Sequence, residues 1–386
     1  MEDLGRKFPL ISQIILNNVD NISLASFREA SIEYRNFLDS ERFYWIRNIK
    51  KYSANFEEFH QPWKKVINKT PVDFLKNLAI HVHSFFAGIS TRHNKQWHPL
   101  FIGAERGSLP LIEHVVERSG DINPKQIDGL TPLFLAVQEG HLEICSFLIK
   151  HLDNKNPGAD DGWTPLHSAA TRGHLEVYKL LFIHIDQKNP RNNIGRTPFH
   201  QAAQEGHLEV CLFMCNHLNQ KNPRDTKDWT PLHLACKNGH LEVCKSMLLH
   251  LEDKHPAGNI GITPLHIAAY GGHLEICKLL MKNLDNKNPG DNYDKSPLHG
   301  AAEKGHLGIF IEIIQYLDDI NPRDNFGWTP LHYASYYGCL EVCEFISEKI
   351  EDLNPCTNEG KTPIYFANER NHRSIVSLLR LAQIKN

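Results

Sequence analysis

Twenty-four histidines and nine cysteines are enough to build several metal centres or to supply general bases and nucleophiles, so their spacing decides what chemistry is open to this chain. Five cysteines, Cys145, Cys211, Cys244, Cys277 and Cys343, fall on a lattice of 33 residues whose two gaps hold Tyr178 and Phe310. A slot that accepts Cys, Tyr or Phe is packing apolar volume, and a free thiol packs as a small hydrophobe. An odd cysteine count with no CxxC pair also points to a reducing compartment. Twelve histidines form two more columns at the same interval. His167, His200, His233, His266, His299 and His332 make one, and His141, His174, His207, His240, His273 and His306 the other. Successive members stand one repeat apart, about 10 Å by the spacing of packed helices, too far to share an ion. His81 and His83 in "HVHSFF" lie two apart, which on a helix points them in different directions, and no Cys or carboxylate cluster accompanies them. There is no P-loop, no GxGxxG after a strand, no GxSxG and no HExxH. The expectation is a protein that is not an enzyme and uses no cofactor or metal.

The interval of 33 is set by the elements that carry these columns. A [T/S]-P pair starts at Thr131, Thr164, Thr197, Thr230, Thr263, Ser296, Thr329 and Thr362, and one further step back lands on His98, where "HPLF" keeps the Pro and Leu. Nine units therefore run from about Trp97 to the C-terminus, the pattern of a solenoid. Within a unit, Thr164 is placed to cap a helix with Pro165 at its first position, where the missing N–H costs nothing. Leu166, Ala169 and Ala170 form its buried side, and Gly173 supplies the left-handed turn that stops it. His174 opens a second helix with Leu175, Val177, Leu180 and Leu181 apolar at helical spacing. "QKNPRNNIG", from Gln187, reads as an extended turn into the next cap.

This T-P-L-H-x-A-A-x-x-G-H-L-E-V unit resembles the ankyrin repeat, over residues 97–386. The resemblance implies an all-α solenoid of helix-turn-helix repeats with β-turn tips, histidines that tie the turn to neighbouring backbone, and a concave surface that grips another protein. Leu152, Ile185, Leu218, Leu251, Leu284, Leu317 and Ile350 stand where the family usually ends the second helix with Gly, so Asn-Pro pairs such as Asn156-Pro157 and Asn222-Pro223 are expected to end it instead. In the family, the residues before the Thr, after the His and just before the first helix's Gly line the groove. Here those places hold Trp328, Tyr333, Tyr336 and Tyr337, with Tyr270 and Tyr293 one or two repeats earlier. Tyr336 and Tyr337 replace Thr171-Arg172, Lys237-Asn238 and Glu303-Lys304, which reads as a water-tolerant position. Exposed aromatics anchor interfaces, so these six residues are the expected target-binding set, on repeats six to eight counted from His98. Trp163 and Trp229 share the turn position of Trp328, so a structural use for Trp stands beside the binding one.

The first residues are written differently. "KFPLISQIILNNVDNISLASFREASIEYRNFLDSERFYWIRNIKKY", Lys7 to Tyr52, reads as several short helices with more large apolar groups than one face can hide. Phe8-Pro9, Ile15-Leu16, Asp20 to Leu24, Tyr34 and Asp39 to Tyr44 follow one another in an order that resembles an F-box. That resemblance implies contact with the Skp-type adaptor of cullin–RING ubiquitin ligases through Phe8, Pro9, Ile15, Leu16, Leu24, Phe27 and Tyr34. It departs from the family at Leu10 and Ile11, where an acidic residue often follows the Pro, and at Tyr34 and Tyr44, which replace tryptophans. Residues 51–96 read as a helical linker or cap, in which Phe74, Leu75, Leu78, Val82 and Phe85 could seal the first repeat. The division is thus 1–50 F-box-like, 51–96 cap and 97–386 repeats.

Together the parts resemble a substrate receptor of an SCF-type E3 ligase, with the cullin complex reached through the adaptor. The alternatives are a repeat scaffold or inhibitor with no ubiquitin link, its N-terminal helices serving only as a cap, and, more remotely, an enzyme within residues 1–96. A net charge of -3 and a pI near 6.8 give no general attraction to nucleic acid or anionic membrane. "RNIKK" and "KKVINK" are basic, but Glu57 and Glu58 lie close by. "MEDLGRKFPL" lacks the layout of a signal peptide and no apolar run reaches membrane-spanning length, so the expected location is the cytoplasm, with the nucleus also open to it.

Overall fold

A computed structural model describes residues 99–119, 122–126 and 128–385. The F-box-like segment 1–50, the cap 51–96 and the His81–His83 pair lie outside the described residues. Among the described residues there are eighteen helices and no strand. The chain divides between Ile127 and Asp128 into two units. Described in the first is one helix pair, α1 (Pro99–Arg106) and α2 (Leu109–Ser119). It closes on Leu100, Ile102, Leu111, Ile112 and Val115, all buried.

The second unit is a stack of eight pairs. Its inner helices are α3 (Pro132–Glu139), α5 (Pro165–Arg172), α7 (Pro198–Glu205), α9 (Pro231–Lys237), α11 (Pro264–Gly271), α13 (Pro297–Lys304), α15 (Pro330–Tyr337) and α17 (Pro363–Glu369). Each is followed by an outer helix: α4 (Leu142–His151), α6 (Leu175–His184), α8 (Leu208–His217), α10 (Leu241–His250), α12 (Leu274–Met281), α14 (Leu307–Ile314), α16 (Leu340–Ser347) and α18 (Arg373–Lys385). Inner helices pack on inner and outer on outer, each with its sequence neighbour. The cysteine lattice is the shared core of this stack. Cys145, Tyr178, Cys211, Cys244, Cys277, Phe310 and Cys343 are all fully buried, and all nine cysteines are free thiols.

Each inner helix begins at a Thr or Ser in extended backbone with Pro at its first position. Six of them close with a reciprocal capping box in which the motif histidine answers the cap residue. Such caps are worth about 1 kcal/mol each. Seven of the eight inner helices end at a left-handed glycine, and α17 at left-handed Asn371, with φ 61°. Gly206 has φ 80°, and a Cβ there would sit 2.5 Å from Nδ1 of His240 in the next repeat, so glycine is required twice over.

The outer helices end differently from the expectation. They stop ahead of the Asn-Pro pairs, and α4, α6, α8 and α10 do so at a third histidine column. Nδ1–H of His151, His184, His217 and His250 donates to the carbonyl four residues back at 2.8–2.9 Å, and Asn283 Nδ2 does the same at 3.1 Å. The following apolar residue then turns into extended backbone and tucks inward. Leu152 has φ -102° and ψ 134° and is buried. The asparagine serves the next helix instead: the side-chain oxygens of Asn156, Asn288 and Asn321 accept from the N–H of Leu166, Leu298 and Leu331 at 3.3, 3.0 and 3.0 Å.

The connecting segments fold into turn tips sewn to one another. Asn192, Asp225, Asp291 and Asp324 each accept two backbone N–H bonds inside their own tip. Main-chain bonds then pass from tip to tip, as from Thr226 N–H to Ile194 O at 3.1 Å and from Asn325 N–H to Tyr293 O at 2.9 Å.

Candidate functional site

The inner face is built on the motif histidines, and their geometry fixes their chemistry. Nε2 of His167 lies 3.0 Å from Arg196 O, that of His200 2.9 Å from Trp229 O, and that of His233 3.1 Å from Ile262 O. A carbonyl only accepts, so Nε2 carries the proton and Nδ1 keeps a lone pair. That lone pair takes the cap N–H and hydroxyl, at 3.2 and 3.0 Å for Thr164 and 3.0 and 2.9 Å for Thr230. Both nitrogens are spent, which leaves neither a ligand nor a base. Burial pushes His167, His200, His233, His299 and His332 down to about 4, against the hydrogen bonds to carbonyls, and pushes His266 down as well.

The second column clasps the repeat before it. Nε2 of His174, His207, His240, His273, His306 and His372 lies 2.8–3.2 Å from the carbonyls of Gln138, Thr171, Gln204, Lys237, Tyr270 and Tyr336. Among the described residues no group of three or more His, Cys, Asp or Glu side chains lies together as a metal site would require. Burial pushes the Cys145 and Cys277 thiols up to about 12 and so holds them protonated.

At the C-terminal end of the stack the same scaffold carries rings. The indole of Trp328 lies 5.0 Å from Tyr333, 5.6 Å from Tyr336 and 4.3 Å from Phe366, centroid to centroid. Tyr336 in turn meets Tyr337 edge-on at 4.9 Å. Tyr270 joins through Lys304, whose ammonium stands 4.4 Å from the Tyr270 ring and 5.7 Å from that of Tyr337. Tyr293 does not join. It sits on a turn tip, stacked on Phe326 at 5.9 Å.

These rings have different exposures and different duties. Tyr270 and Tyr337 are 44% and 48% exposed. Tyr333 is half-buried, roofed by Lys295 at 4.5 Å, and its hydroxyl donates to Asp324 Oδ2 at 2.8 Å. Burial and that carboxylate push its pKa well up. Tyr336 is also half-buried, beneath the Arg370 guanidinium at 4.1 Å. Water tolerance does not hold across its whole column, because Glu303, one repeat earlier, is buried and held by Lys295 at 2.6 Å. Trp163 and Trp229 lie against the histidines of their own repeats at 5.5 and 5.8 Å, as Trp328 does against His332 at 6.0 Å. A tryptophan before the Thr therefore has a structural use in all three repeats, and the extra rings set Trp328 apart.

A family model described as "Ankyrin repeats (3 copies)" matches residues 100–192, 182–256, 248–324 and 308–386. The chain belongs to the ankyrin-repeat family. No curated protein matches it in a sequence search. In an ankyrin stack the inner helices and turn tips form a surface for binding protein, and it is on that surface that Tyr270, Tyr337 and Lys304 stand. Motif reading missed Phe366, Tyr365 and Arg370 of the ninth repeat. Phe366 occupies the column of Tyr333, 33 residues on, but "TPIYF" puts Tyr365 where the motif histidine belongs, so the repeat reads as a cap. No helix among the described residues is long and apolar enough to cross a membrane.

Proposed function

We propose that this ankyrin-repeat chain is a non-enzymatic receptor that delivers a target protein to an SCF-type E3 ubiquitin ligase. The observation that carries the target half is the ring cluster of repeats six to nine. Tyr270 and Tyr337 hold large, partly exposed apolar surface on a rigid inner face, the form that interface anchors take. Tyr333 and Trp328 act behind them, fixing Tyr336 and the tip from which Asp324 reaches back. Tyr293, with Phe326, would touch the partner from a turn tip rather than from the groove.

The ligase half rests on the order of landmarks in residues 1–50. Phe8, Pro9, Ile15, Leu16, Leu24, Phe27 and Tyr34 would meet the Skp-type adaptor. The chain would make and break no bond itself. It would raise the target's effective concentration beside the ligase's catalytic subunits.

Co-purification with the adaptor and its cullin tests the ligase half. The full chain is expected to retain both, and removal of residues 1–50 to release both. The exchange of Pro9→Ala together with Leu24→Ala should weaken retention strongly, since a few buried anchors dominate an interface. Equal recovery from the full and shortened chains would overturn the F-box reading of residues 1–50, and no recovery from either would leave a repeat scaffold with no ubiquitin link.

A further inference from the structure

One column of the inner face alternates in a way that names a partner chemistry. The last exposed position before the left-handed residue that ends each inner helix (Gly305, Gly338 and Asn371) holds Lys304, then Tyr337, then Arg370, each 33 residues after the one before. All three are exposed, so a ring stands between two cations at successive repeats. Resting on the docking face proposed above, we propose that the segment it grips is an extended stretch with two carboxylates flanking one large apolar side chain.

The charges near this column support the choice of sign. On the outer helices Lys179, Lys245 and Lys278 are paired with Glu176, Glu242 and Glu275 at 2.6–3.0 Å, within one turn of the same helix. Lys304 has only a share in Glu303, at 3.9 Å, because Lys295 holds that carboxylate at 2.6 Å. Arg370 makes no ion pair among the described residues, although exposed Glu369 precedes it. Both cations lie instead against rings, Lys304 on Tyr270 at 4.4 Å and Arg370 on Tyr336 at 4.1 Å. Those ring faces are therefore occupied, which closes them to a basic ligand, while the outward donors of both cations face solvent. The hydrogen bond from Lys304 to Tyr270 pushes its pKa up, so it stays charged at neutral pH.

Spacing follows from geometry. Neighbouring repeats lie about 10 Å apart, by the separation of packed helices. An extended chain advances about 3.3 Å per residue, so each step along the column takes roughly three residues. The expected pattern is acid, two residues, a large apolar side chain, two residues, acid, running along the stack.

The test is fluorescence anisotropy of the full chain with a labelled peptide of the form Glu-x-x-Phe-x-x-Glu in a Gly/Ser background. Its Gln and Lys counterparts, and one with the two Glu moved beside the Phe, serve as comparisons. The Glu peptide should bind at least about tenfold tighter than the Gln form, with the advantage fading at high salt. Lys304→Glu with Arg370→Glu should reverse the preference toward the Lys peptide, and Tyr337→Ala should remove binding of every form. If the Gln or Lys peptide binds the unaltered chain as tightly and Tyr337→Ala still abolishes it, the docking face stands and the acidic partner is wrong. Binding that ignores Tyr337→Ala, or no binding of any peptide, overturns both. Thermal melts of each variant show that it is folded.

Discussion

Repeats three to five and repeats eight and nine use the same scaffold and present inner faces of opposite character to a partner. In the earlier group the inner face is polar: Thr171-Arg172, Gln204-Glu205 and Lys237-Asn238 stand at the helix ends, and Arg196 reaches Gln204 at 2.7 Å. In the later group the equivalent and adjoining places hold Tyr333, Tyr336, Tyr337, Tyr365 and Phe366. The capping boxes and the histidine bonds to carbonyls run through repeats three to five and repeat eight, while in repeat nine Thr362 caps its helix on the Tyr365 N–H without a histidine. Folding is therefore satisfied without the rings. Their cost in exposed apolar surface at Tyr337 has to be explained by something the stack meets rather than by the stack itself.

The largest effect should be blind to this difference. Leu232 and Leu331 occupy the same slot in the two groups and are both 0% exposed. Leu232→Ala and Leu331→Ala should each cost about 2–5 kcal/mol in denaturant unfolding, through the cavity left behind. Hydrogen exchange should quicken mainly in the mutated repeat and its neighbours, since a solenoid passes stability between adjacent units. A loss confined to the ring-bearing group would show that the rings hold the fold.

Acid should act on both groups alike. The motif histidines have folded-state values lowered from 6.5 to about 4 for His167, His200, His233, His299 and His332. Below 6.5 the unfolded chain binds protons that the folded chain refuses. Their stabilisation is thus complete above 6.5, falls as pH drops toward about 4, and levels off beneath it. Each can contribute a slope of up to about 1.4 kcal/mol per pH unit within that window. Urea midpoints measured from neutral pH downward check this. His233→Gln should lower stability at neutral pH yet flatten the slope, and an unchanged slope would contradict the assigned burial.

The smallest effect separates support from contact. Tyr333→Phe removes only the hydroxyl that reaches Asp324, so it should cost about 1 kcal/mol while leaving partner capture nearly intact. If it abolished capture with no loss of stability, Tyr333 would be a contact residue and the division of labour drawn here would be reversed.

Much of this was legible in the bare sequence, for a physical reason. Thr-Pro, the motif histidine and the helix-ending glycine act within one repeat or across one interface, so a fixed spacing exposes them. The burial of Cys145 and its column follows from the same logic, because Tyr178 and Phe310 occupy equivalent slots. What escaped depends on three-dimensional neighbours. His151 and its column closing the outer helices were hidden because a histidine in a last turn carries no distinctive pattern. The role of Asn156 was misplaced because its partner, Leu166, belongs to the next helix. Tyr293 was grouped with the groove although the turn carries it onto a tip. Phe366 was passed over because the last repeat breaks the motif around it.

The most direct test of the claim that the ring-bearing face is the docking site compares the two groups in one experiment. A photo-crosslinking amino acid is placed at Tyr337 in one variant and at Arg172, the equivalent position of repeat three, in another. Both sites are exposed, so both variants should fold and melt as the unaltered chain does. On irradiation in cells, the probe at 337 is expected to yield a discrete covalent adduct that Tyr270→Ala removes, and the probe at 172 none. Adducts of equal yield from both sites, or an adduct from 172 alone, would contradict the account.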